Sequence, residues 1–256
     1  MTLGYTQMGS GAEKVLVFEG WFGDYSVWEP TFKGMDTDTF TYLFMDYRGY
    51  GKSATQSGSY TMHEIAADAL ALVQSLGWTE LHVVGHSMGG MAMQRFALDT
   101  GAGIRVKSAV GVTPVPASGG ELNEKVWPLF FGAISNDDNR HAIIDFTTGN
   151  RLSPAWIKRM VAASRATTQE AAYAGYLHAW ALENFSDEIS RIRHIPVLTC
   201  VGEHDKAITV EAMQATYAAW YDACEVAVIG NAGHYPMQET PLDLVTRMET
   251  FMRKHA

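Results

Sequence analysis

The chain reads as an α/β fold: a mostly parallel central sheet with helices on both faces and a helical lid inserted between strands. Three observations predict this. Short apolar runs alternate with helical patterns, the rhythm of parallel strands joined by crossover helices. One apolar run, Leu81-His82-Val83-Val84, leads through Gly85-His86-Ser87-Met88-Gly89 into a helical pattern, Gly90 to Leu98. A long stretch in the middle, from about Pro114 to Asp187, is helical and aromatic with no obvious strand.

Taken in order, Lys14-Val15-Leu16-Val17-Phe18 is a buried strand that ends in a loop at Glu19-Gly20, and Phe40 to Met45 is the next. Thr61 to Leu76 is a helix, with Thr61 as N-cap, Glu64 three residues on as in a capping box, and Gly77 at the C-terminus. Leu81 to Val84 and Val106 to Val112 are strands. Trp127, Phe130, Phe131, Trp156, Tyr173, Tyr176 and Trp180 crowd the helical stretch that follows. Sheet rhythm returns at Pro196 to Val201, then a helix at Thr209 to Trp220, a strand at Glu225 to Ile229 and a last helix at Leu242 to Lys254. The expected division is a core of residues 1–113 and 188–256 with a lid of residues 114–187, an insertion rather than a separate unit.

With 256 residues the chain is long enough for one large α/β core. Its net charge of −9 argues against a nucleic-acid surface and against anionic lipid. No run approaches the roughly 20 apolar residues of a membrane span. Met1 to Gly11 has no basic segment followed by an apolar one, so no secretory signal is read. Cys200 and Cys224 form no metal-ligand pattern and are expected as reduced thiols, which points to the cytoplasm. The remaining histidines show no spacing for a metal site.

The chemistry centres on Ser87. G-x-S-x-G between a strand and a helix is a nucleophile elbow, a tight turn that exposes the serine and aims helix N–H groups at whatever it attacks. A serine hydroxyl needs a base, and the base needs an orienting acid. Asp205 lies in Gly202-Glu203-His204-Asp205 just past one strand, and His234 lies in Gly230-Asn231-Ala232-Gly233-His234 just past another. In a parallel sheet all three loops open on the same edge. His86 and His204 are expected to pack loops, and Asp46 and Arg48 to hold them together.

These pieces resemble the α/β-hydrolase fold superfamily, in its serine-nucleophile esterase and haloperoxidase-like branch. The likeness rests on GHSMGG, GEHD, NAGHYPMQETP and the stretch Asp46-Tyr47-Arg48-Gly49-Tyr50-Gly51-Lys52-Ser53, similar to D-x-R-G-x-G-x-S. It implies Ser87 as nucleophile, His234 as general base and Asp205 as the orienting carboxylate. It also implies an oxyanion hole from the N–H groups of Met88 and Trp21. Relatives usually carry His-Gly where this chain has Glu19-Gly20. Glu19 is either a structural replacement bonded to neighbouring loops or a group that positions water or substrate. Glu19, Gly20, Trp127, Phe131, Trp156 and Trp180 are the expected substrate-binding residues.

The implied activity is hydrolysis of a small or medium carboxylic ester, thioester or lactone through an acyl-enzyme, without cofactor or metal, on a small apolar substrate. The terminal helix and lid of such proteins often mediate homodimers. Competing readings are a C–C bond hydrolase, a cofactor-free perhydrolase, and a ligand-binding protein of the same fold without turnover. Serine at position 87 excludes the aspartate-nucleophile branches, and no dinucleotide fingerprint or P-loop is present.

Overall fold

The computed structural model describes residues 3–120 and 122–256. Its sheet has seven strands: β1 (Tyr5–Met8), β2 (Glu13–Phe18), β3 (Phe40–Met45), β4 (Glu80–His86), β5 (Arg105–Val112), β6 (Val197–Gly202) and β7 (Cys224–Ile229), in the order β1-β3-β2-β4-β5-β6-β7. Only β1 runs antiparallel, pairing Tyr5 with Met45 at one edge of the sheet. The other pairings are parallel.

Alternation along the strands splits the core in two. Leu16 and Phe18 face a cluster with Leu43, Leu81 and Val83, covered by α1 (Met62–Ser75) and α2 (Met88–Asp99). Val15 and Val17 face the other cluster, with Tyr42, Phe44 and Val110. Thr61 caps α1 by accepting from Glu64 N–H at 3.1 Å, as expected. The return half of the box differs. Glu64 reaches past Thr61 to the N–H groups of Ser59 and Tyr60, at 3.0 and 2.9 Å.

Between β5 and β6 the chain forms α3 (Trp127–Gly132), α4 (Asp137–Thr147), α5 (Pro154–Thr167) and α6 (Glu170–Leu182). The helix expected over Thr209 to Trp220 is broken. Thr216, at φ −117° and ψ −90°, separates α7 (Val210–Ala215) from α8 (Tyr217–Trp220). The chain ends in α9 (Pro236–Glu239) and α10 (Pro241–Arg253), whose Leu244, Val245 and Met248 close the second cluster. Cys200 is buried in β6 and Cys224 is half-buried; both are free, and burial pushes their thiols up to about 12 and about 11. Among the described residues no helix is long and apolar enough to cross a membrane.

Because β2, β4, β5, β6 and β7 are parallel, their C-terminal ends share one edge. The loops that carry Glu19 to Trp21, Ser87, Thr113, Asp205 and His234 all leave from it.

Candidate functional site

Ser87 sits between β4 and α2 at φ 52° and ψ −118°, a conformation rare for a residue with a side chain. Its surroundings hold it there. Ser87 N–H donates to Val112 O at 3.0 Å, and its carbonyl accepts from Gly90 N–H and Val115 N–H at 2.8 and 2.9 Å. The turn works only with close backbone approach. A methyl on Gly89 would stand 2.3 Å from the carbonyl oxygen of Phe18, and one on Gly20 would stand 2.6 Å from Nδ1 of His86.

The three predicted loops meet. Ser87 Oγ lies 3.0 Å from His234 Nε2, and His234 Nδ1 lies 2.7 Å from Asp205 Oδ2. A carboxylate only accepts, so Nδ1 carries the imidazole proton and the Nε2 lone pair faces the serine hydroxyl. The other oxygen of Asp205 accepts from Ala207 N–H and Ile208 N–H at 2.8 and 3.1 Å, which fixes the carboxylate.

The His234 loop is held from several sides. His234 N–H donates to Thr147 O at 3.1 Å. Its carbonyl accepts from His86 Nε2 at 2.9 Å and from Thr113 Oγ1 at 3.1 Å. The buried Glu239 carboxylate accepts from Gly233 N–H and Tyr235 N–H, at 2.9 and 3.1 Å, and pairs with Arg151. Burial, then the nearby His234, pushes His86 down to about 3, so it is a neutral donor that packs the loop as expected. His204 stays at the surface beside Glu203.

A cavity of about 100 Å³ opens over Ser87 and His234. Trp180, expected at the substrate, lines it, and so does Trp21, expected only as a backbone donor, with Phe22, Val115, Leu122, Phe130, Ile143, Thr147, Ile208 and Tyr235 among the rest. Met88 is buried at the head of α2, where the first N–H groups have no intrahelical acceptor.

Other expected residues lie elsewhere. Phe131 is 51% exposed, and its predecessor Phe130 fills the cavity wall instead, stacked 5.9 Å from Trp21. Trp127, one helical turn before Phe131, is half-buried against the first core cluster and stacks on His178 at 5.8 Å. Trp156 packs into the second core cluster, 6.0 Å from the Tyr235 ring. Gly20 is not among the lining residues and packs against His86 and the Cβ of Ser87. Glu19 is 1% exposed and turned away from it, its Oε2 accepting from Trp28 Nε1 at 2.7 Å. Among the described residues its Oε1 has no hydrogen-bond partner. Burial, and then Asp46, raise its carboxyl well above the usual range, which favours the neutral acid. Sequence reasoning missed most of the cavity wall. Tyr235, next to His234, had a signal; Ile143 and Ile208 had none.

Residues 14–241 match the family model of the alpha/beta hydrolase fold. The chain belongs to that family. It is 27% identical over 222 residues to a non-heme haloperoxidase of Rhodococcus erythropolis, covering 80% of this chain and 79% of that one. It is 34% identical over 111 residues to a dihydrolipoyllysine-residue acetyltransferase component of the acetoin cleaving system of Cupriavidus necator. That match covers 43% of this chain and spans only 29% of the relative's length. An esterase from Exiguobacterium antarcticum superposes with a TM-score of 0.85 at 17% identity, covering 97% of this chain and 94% of the other.

Proposed function

We propose that the chain is a serine hydrolase for small or medium carboxylic esters, thioesters or lactones. The observation that carries the reading is the run of hydrogen bonds from Ser87 through His234 to Asp205 at the floor of a mainly apolar cavity. Ser87 Oγ attacks the acyl carbonyl while His234 Nε2 takes its proton, and Asp205 holds the imidazolium that forms. The oxyanion rests on the N–H groups of Met88 and Trp21, donors of a kind typically worth about 3–4 kcal/mol of barrier each. His234 then returns the proton to the leaving alcohol, thiol or lactone oxygen. Water repeats the cycle on the acyl-enzyme and frees Ser87. The chemistry needs no cofactor. Residues 114–187 act as a lid, with Phe130 and Trp180 as its contribution to the acyl pocket.

The test is a burst assay with p-nitrophenyl esters of increasing chain length on wild type and Ser87→Ala. A burst that vanishes in the variant is expected. Residual turnover within about tenfold of wild type would refute the assignment. The haloperoxidase relative favours one second reading, in which hydrogen peroxide replaces water. The acyl carbon then bonds to a peroxide oxygen, Ser87 leaves with a proton, and a peracid is released. Peracid formation from acetate and peroxide tests it.

A further inference from the structure

The stretch from Asp46 to Ser53 has no part in the reaction just described, yet two of its side chains reach into the loop after β2. Tyr47 donates its hydroxyl to the carbonyl of Glu19 at 2.9 Å, and Tyr50 donates to the carbonyl of Trp21 at 2.8 Å. Both rings are buried. We infer that Tyr47 and Tyr50 are positioning residues for the oxyanion hole, aiming the Trp21 N–H at the charge that develops beside Ser87. This rests on the hydrolase reading above.

Planarity of the peptide unit makes the link. The Trp21 N–H shares a plane with the carbonyl of Gly20. The planes on either side contain the carbonyls of Glu19 and of Trp21, the two groups that the tyrosines hold. With both flanking planes fixed, the plane between them has little freedom left. Trp21 has a third tether, because its indole Nε1 donates to Tyr173 O at 2.8 Å.

The tyrosines are themselves braced. Arg48 grips Asp68 through two bonds of 2.7 Å, and Asp46 accepts from Tyr25 N–H and Lys52 N–H. Tyr176 donates to Arg48 O at 3.2 Å, and Gln169 N–H donates to Gly49 O at 2.8 Å. Burial raises both phenols well above their ordinary range. Each therefore stays a donor throughout the working pH range.

The experiment compares wild type, Tyr47→Phe and Tyr50→Phe on a p-nitrophenyl ester, and measures two inhibitors. Phenylboronic acid accepts Ser87 Oγ and becomes a tetrahedral anion that mimics the intermediate. A neutral aryl ether fills the cavity without charge. The expected result is a fall in kcat of about tenfold or more with KM within about twofold, part of the loss that follows removal of a whole oxyanion donor. Boronic-acid affinity falls by the same factor, and ether affinity holds. Folded Phe variants with kcat within about twofold of wild type overturn the inference, as does an equal loss of both inhibitors. If neither variant folds, the Trp21 amide resonance of wild type is followed on boronic-acid binding, and an unmoved resonance overturns it. A wild type without burst or turnover removes the hydrolase reading as well, whereas active Phe variants remove this inference alone.

Discussion

Glu19→Gln isolates the effect of a neutral acid sealed in the core. In the folded chain Glu19 is shielded from water, has one donor, Trp28, and faces Asp46 and Asp24. All of these except the Trp28 bond favour the protonated form. In the unfolded chain it ionises near 4.5. Between 4.5 and its raised folded value, the folded state holds a proton that the unfolded state has released. Stability therefore falls as pH rises through that window, by about 1.4 kcal/mol per pH unit. Glutamine has the same shape and no proton to lose. Its amide places N–H groups where Oε1 has no partner, a roughly constant cost of about 1–3 kcal/mol. The variant thus starts less stable in acid and gains on wild type as pH rises through the window between 4.5 and the raised folded value. Burial pushes Asp46 up to about 6, so the comparison is cleanest above that value. Urea unfolding midpoints of both proteins at half-unit steps from pH 6 to 8.5 give the slope. A difference that stays constant with pH would refute the reasoning. Because the side chain turns away from the cavity, kcat/KM of the variant at pH 6 is expected within a few-fold of wild type.

Asp205→Asn removes the charge that holds His234 Nδ1, and kcat on an ester is expected to drop by about 10³–10⁴ in a folded protein; a loss under tenfold would contradict the assigned role. Gly89→Ala puts a methyl 2.3 Å from Phe18 O, so the start of α2 must shift. Loss of about 1–3 kcal/mol in denaturant unfolding, together with lower kcat, is expected. Burial holds His82 down at about 4, against an ordinary 6.5. Below 6.5 the unfolded chain binds the proton and the folded one does not, so stability falls as pH drops from 6.5 to about 4, by roughly 3 kcal/mol from this group. His82→Gln is expected to flatten that part of a pH-melting series.

The strands of the central sheet were legible because buried parallel strands are continuous apolar runs, and each assigned run lies within one residue of its observed strand or inside it. The Ser87, Asp205 and His234 loops were legible because each follows such a run. The antiparallel strand Tyr5–Met8 was not: four residues with no apolar alternation are held by pairing to β3, 40 residues away for Tyr5 with Met45. The 3-10 helix at Tyr25–Gly34 carries Pro30 inside and starts from an Asp24 cap, a pattern that reads as loop. The choice between Phe130 and Phe131 depends on rotation. One residue turns a helix by about 100°, and α3, with six residues, is too short for its pattern to set the phase. Glu19 was legible as an oddity, but the direction of its side chain depends on Trp28, nine residues away.

The helical insertion has a second hold on the chemistry besides its cavity wall. Thr147, at the end of α4, accepts the His234 N–H, and Arg151, four residues on, pairs with the Glu239 that brackets the same loop. On the proposed function, lid and base are thus one mechanical unit. An insertion grafted from a relative would have to bring its own seat for the histidine, or the pocket it reshaped would be left without a base. On that reading, substitutions at Phe130 and Trp180 are expected to reshape the pocket without touching the His234 loop, whereas changes at Thr147 and Arg151 are expected to disturb it.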